Sequence, residues 1–131
     1  MHTVLLVDED VLVRKELAEF LRECGLRVAE AATAAEARAL VADADLGIDI
    51  ALIDIGLAGA EDAFSLVAWL RSENPAIDVL LAGSAERAVE RAATICEEGA
   101  SLPKPHDPKA VLERIKKLRA ARTRGRDLEQ S

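Results

Sequence analysis

The chain has 131 residues, half of them hydrophobic but only 2% aromatic, and a formal charge of -7 at pH 7. That length supports one domain around a single core. The acidic balance argues against general affinity for nucleic acid or an anionic membrane, because both demand a surplus of Lys and Arg.

No apolar run approaches the roughly 20 residues of a membrane helix. The start lacks the basic region and cleavage site of a signal peptide, so the expected location is cytoplasmic. With Phe20, Phe64 and Trp69 as its aromatics, the core must be built from Ala, Leu, Val and Ile. Cys24 and Cys96 fall on apolar helical stripes far apart in sequence, and read as buried free thiols of a reducing compartment.

Residues 4–7 are a short apolar run rich in branched side chains, predicting a strand that ends at Asp8-Glu9-Asp10. Val13, Leu17, Phe20, Leu21 and Cys24 then recur at helical spacing, Asp10 suits the N-cap, and Gly25 stands where a helix end wants a left-handed residue. Residues 26–31 read as a second strand. Thr33 and Glu36 form a capping box before a helix that buries Ala37, Leu40 and Val41.

Residues 50–53 are unbroken and apolar, as in a strand buried on both faces of a parallel sheet, and they stop at Asp54 with Gly56 beyond. Ala63, Leu66, Val67 and Leu70 mark a third helix closed by Asn74-Pro75. A fourth strand at 77–82 ends in Gly83-Ser84. The helix after it carries Val89, Ala92, Ala93 and Cys96 inward. Residues 100–103 leave room for a very short fifth strand before Lys104-Pro105. Asp107 and Pro108 then open a last helix with Val111, Leu112, Ile115 and Leu118 on its buried stripe.

This alternation predicts an α/β fold, a five-stranded parallel sheet with helices on both faces. The domain is assigned to residues 1–121. Residues 122–131 are expected to form a polar, disordered tail, and the basic residues from Lys116 onward read as the solvated end of a helix. No output domain is expected.

In a parallel sheet every strand's carboxyl end lies along one edge, so Asp8, Glu9, Asp54, Ser84 and Lys104 should converge there. By itself the stretch does not decide whether Asp54 only opens a turn, as Asp does before Gly-rich sequence. With those partners it has a chemistry. Crowded carboxylates call for a cation, and oxygen ligands point to Mg²⁺. A carboxylate nucleophile, a metal, a lysine and a hydroxyl are together what a transferred phosphoryl group needs.

Val4-Leu5-Leu6-Val7-Asp8-Glu9-Asp10, Asp49-Ile50-Ala51-Leu52-Ile53-Asp54, Ser84-Ala85, Glu98-Gly99-Ala100 and Lys104-Pro105 stand in an order and spacing that resembles the response-regulator receiver domain of two-component signalling. The likeness covers nearly the whole chain, from about Thr3 to Leu118. It implies the flavodoxin-like (βα)5 receiver fold of a stand-alone module. Asp54 would accept a phosphoryl group from a phosphohistidine on a sensor histidine kinase or histidine phosphotransfer protein. Asp8, Glu9, Asp54 and the Gly56 carbonyl would hold Mg²⁺. Ser84 would bond the phosphoryl group, and Lys104 would pair with it next to a cis peptide bond to Pro105.

The resemblance further implies a signalling phosphoacceptor rather than an enzyme on outside substrates. It would act on an unidentified downstream protein, as a monomer or a weak dimer through the fourth and fifth helices. The alternative is a pseudo-receiver that is never phosphorylated and serves only as an interaction module. A small-substrate phosphatase of the haloacid dehalogenase type would want an acid two residues after Asp54, where Gly56 stands. Two departures from the family pattern matter. The segment from Gly99 to Lys104 is about two residues short and has no aromatic, and His106 replaces the usual aromatic after Lys-Pro. Signal readout through a fifth-strand aromatic is therefore not available.

Overall fold

The computed structural model describes residues 2–57, 61–99 and 107–130, the side chains of residues 99 and 124–130 excepted. Strands β1 (Thr3–Val7), β2 (Arg27–Ala31), β3 (Ile50–Asp54) and β4 (Asp78–Ala82) form one parallel sheet in the order β2-β1-β3-β4. Between and after them lie helices α1 (Val11–Glu23), α2 (Ala34–Ala42), α3 (Ala63–Glu73), α4 (Ala85–Gly99) and α5 (Pro108–Gln130). This is the expected α/β fold, with four strands among the described residues. The positions expected to form a fifth strand, 100–103, lie outside them.

Successive side chains of a strand point to opposite faces, and both faces of the sheet are covered. Val4, Leu6 and Leu52 enter one core with α1, α4 and α5. Leu5, Val7, Ala51 and Ile53 enter the other, under α2 and α3. All five residues of β1 are buried. That double burial is why β1 and β3 are unbroken apolar runs rather than alternating ones.

The predicted helix ends are present. Asp10 caps α1 through Oδ1, which accepts from the N–H groups of Leu12 and Val13. At the other end Gly25 has φ 93, and the N–H groups of Gly25 and Leu26 donate to the carbonyls of Arg22 and Leu21. These two bonds are the Schellman arrangement, which only a left-handed residue accommodates cheaply. Thr33 Oγ1 accepts from the Glu36 N–H, and Glu36 reaches back to the N–H of Ala32.

Two features of the helical layer run against the sequence reading. Cys24 and Cys96, expected as separate thiols, are joined in a disulfide with their Cα atoms 5.8 Å apart. The reason is that α4 packs on the same face as α1, a tertiary fact to which a separation of 72 residues gives no clue. In strict strand-helix alternation all helices run the same way, yet α5 runs antiparallel to α1. Its early residues Ala110 and Val111 lie beside Phe20 and Glu23. Further along, Arg114 pairs with Glu16 and Arg119 with Asp10. Helix α5 continues to Gln130.

Candidate functional site

The strand order reverses beside β1: the chain passes to β2 on one side and to β3 on the other. At such a switch point the connections leave in opposite directions and open a crevice at the carboxyl ends of the strands. Here the crevice is a cavity of about 350 Å³, and its lining includes Asp8, Glu9, Asp10, Asp54, Gly56, Ser84 and Arg119. Five of the residues singled out in the sequence, Asp8, Glu9, Asp54, Gly56 and Ser84, thus share one cavity. Lys104 and its peptide bond to Pro105 lie outside the described residues.

Asp8 follows the last residue of β1. Its N–H donates to the Ala31 carbonyl at 3.0 Å, and its Oδ1 accepts from the Asp10 N–H at 2.9 Å. Arg14 clamps the same turn by donating to the Asp8 carbonyl at 2.9 Å while pairing with Glu30 of β2. Burial pushes the Asp8 carboxyl up to about 6, helped by the negative charges of Asp54 and Asp10 and opposed by the Asp10 N–H and by Arg119. A half-buried carboxylate facing another carboxylate is under-neutralised, and a cation would relieve it.

Asp54 closes β3, its register set by pairing with Ala82 of β4. Its Oδ1 accepts from the Gly56 N–H at 3.1 Å, so the plain turn-opening role and the place in the cavity coexist. A Cβ built on Gly56 would lie 3.5 Å from the Asp54 carboxylate, at van der Waals contact with the group any ligand must reach. Ser84 is exposed at the start of α4, where Oγ accepts from the Arg87 N–H at 3.1 Å. That hydroxyl caps the helix and still carries a proton to donate.

Among the described residues no three His, Cys, Asp or Glu side chains lie close enough together to hold a metal by themselves. A hard ion such as Mg²⁺ keeps several of its waters and is not held by an all-protein cage. The under-neutralised Asp8 beside Asp54 is the observation that makes the donor set suitable.

Arg119 of α5 was not anticipated in the cavity. Asp10 Oδ2 accepts from Arg119 Nη2 and Nε at 3.0 and 3.3 Å and from Arg122 Nη2 at 3.4 Å. Burial raises the Asp10 carboxyl, but the bonds from Arg119, the Val13 N–H and Arg122 outweigh it and hold the group below its ordinary value. In the sequence these arginines belong to a basic helix end. Their i, i+3 spacing puts them on one face, and nothing in it names an acid 109 positions away.

The chain is thus an α/β domain with an acidic crevice at its topological switch point. Residues 4–116 match the response regulator receiver domain, and the chain belongs to that family. It is 30% identical over 121 residues to the transcriptional regulatory protein GltR of Pseudomonas aeruginosa, covering 89% of this chain and 48% of that protein. The chain therefore spans about half the length of this curated relative.

Among solved structures it is similar to the non-phosphorylated HemR receiver domain from Leptospira biflexa, with 26% identity and a TM-score of 0.58 over 88% of this chain and 94% of that one. The chemotaxis response regulator CheY4 of Vibrio cholerae gives 25% identity and a TM-score of 0.58, over 89% and 98%. A receiver domain is a signalling module rather than a conventional enzyme, and it implies a cognate histidine kinase as partner. No helix among the described residues is long and apolar enough to cross a membrane.

Proposed function

We propose that this domain is a phosphoacceptor receiver that takes a phosphoryl group onto Asp54 from a phosphohistidine of a sensor kinase or phosphotransfer protein in the cytoplasm. The observation that carries this reading is the pairing of Asp8 and Asp54 across the switch point, in one cavity with Gly56 and the Ser84 hydroxyl. In the transfer, an Asp54 carboxylate oxygen attacks phosphorus, the phosphorus–nitrogen bond to the donor imidazole breaks, and an acyl phosphate forms. Such a transfer is helped mainly by positioning and by charge on the equatorial oxygens.

Asp8, Glu9, Asp54 and the Gly56 carbonyl would hold Mg²⁺, which when bound supplies positive charge to those oxygens. Ser84 donates its hydroxyl to one of them, and Lys104 is assigned to another. Hydrolysis of the acyl phosphate by water resets the domain, so its chemistry is confined to its own phosphorylation. Residues 1–121 form the receiver unit, and its output is a change of protein contacts at the face of α4 and α5.

Intact-mass measurement after incubation with acetyl phosphate, with and without Mg²⁺, tests this on wild type and Asp54→Asn. One Mg²⁺-dependent phosphoryl adduct that the substitution abolishes is the expected result. No adduct on wild type would transfer the domain to the interaction-only class.

A further inference from the structure

The cavity that holds Asp54 also receives a side chain from near the other end of the chain. Arg119 lines it with Asp8, Glu9, Asp54 and Ser84. Two of its N–H groups are spent on Asp10 Oδ2, at 3.0 and 3.3 Å. A guanidinium has five such donors in a planar fork, so the contact with Asp10 does not exhaust it. Asp10 is a fixed post, because its other oxygen is held by the first turn of α1 at the N–H groups of Leu12 and Val13. The Arg119 side chain is 42% exposed, so it lines the cavity from outside the packed core.

We propose that Arg119 is a positioning residue of the Asp54 pocket, supplying from α5 a fixed positive charge that disfavours a divalent cation there and favours a phosphoryl group. The proposal rests on the phosphoacceptor reading. Its physical content is one charge with two effects of opposite sign. Beside the acids it neutralises Asp10 and repels Mg²⁺, and beside the anion it attracts. An arginine that merely fastened α5 to α1 would have no reason to separate the two effects.

The test is calorimetric titration of wild type, Arg119→Gln and Arg119→Lys, first with Mg²⁺ alone and then with beryllofluoride at saturating Mg²⁺, with thermal melts of each. Arg119→Gln should bind Mg²⁺ roughly 3- to 10-fold more tightly and beryllofluoride weaker by a similar factor, and Arg119→Lys should stay near wild type in both. Unchanged affinities in Arg119→Gln, or affinities that fall together with the melting temperature, overturn the proposal. A wild type that takes no beryllofluoride and no phosphoryl group defeats the phosphoacceptor reading instead. In that case the Mg²⁺ titration still decides whether the Arg119 charge acts on the pocket.

Discussion

Arg119 and Asp10 stand 109 positions apart and are joined by two hydrogen bonds at the N-terminus of α1. The contact brings the far part of α5 to the mouth of the acidic cavity. Arg119 places a cation at that mouth from α5, independently of Lys104. Without a fifth-strand aromatic, a charge-sensitive contact of this kind is a natural route from the pocket to the helical surface.

The Asp8 carboxyl makes the metal-free protein sensitive to pH. Its value rises from 3.8 to about 6 on folding, so the folded state holds the proton more tightly. The corresponding stability is fully present below pH 3.8 and is lost as pH rises through about 6. Discounted for solvent screening, the loss should be about 1–2 kcal/mol, and Asp8→Asn should remove that slope from urea melts taken between pH 4 and pH 7. Protons compete with metal at the same carboxylate, so Mg²⁺ affinity should fall by about tenfold per pH unit below 6.

The Cys24–Cys96 bond closes a long loop between buried ends of α1 and α4. Protein purified without reductant should be lighter by two hydrogens than after reduction under denaturing conditions. Chain-entropy arguments give the bond up to about 4 kcal/mol, so the oxidised form should melt above the reduced one. The difference should vanish in Cys24→Ala/Cys96→Ala. Equal masses with two titratable thiols would show that the bond does not form in solution.

Arg38 of α2 joins three features at the α3 side of the molecule. It pairs with Glu61, lies 5.1 Å from the centroid of the Trp69 ring, and buries its Nε without a hydrogen-bond partner. Arg38→Ala should destabilise the domain by about 1–2 kcal/mol in denaturant titrations and shift Trp69 emission to the red. Arg38→Lys keeps the charge but loses the planar stacking, and should recover only part of the loss.

Gly25 permits the Schellman end of α1 at φ 93. Gly25→Ala should cost about 1 kcal/mol in thermal or urea melts, and Gly25→Asn less, because Asn tolerates the left-handed region better. A neutral Gly25→Ala would mean that the end of α1 rearranges at no cost.

Much of the fold was legible because its signals are local. Doubly buried strands declare themselves as unbroken apolar runs at 4–7 and 50–53, and helix ends by a carboxylate or hydroxyl before them or a glycine after them. Once the strands are known to be parallel, geometry alone sends Asp8, Asp54 and Ser84 to one edge, so a shared cavity follows from chain order. What tertiary structure decided is which distant surfaces meet. The disulfide depends on α4 lying on the face of α1, and the Arg119–Asp10 contact on α5 running antiparallel to α1. Neither leaves a mark in local spacing, since a buried cysteine or a basic helix end reads the same whatever packs against it. Periodicity records that a side chain is buried or charged, whereas its partner is chosen by the packing of the whole chain.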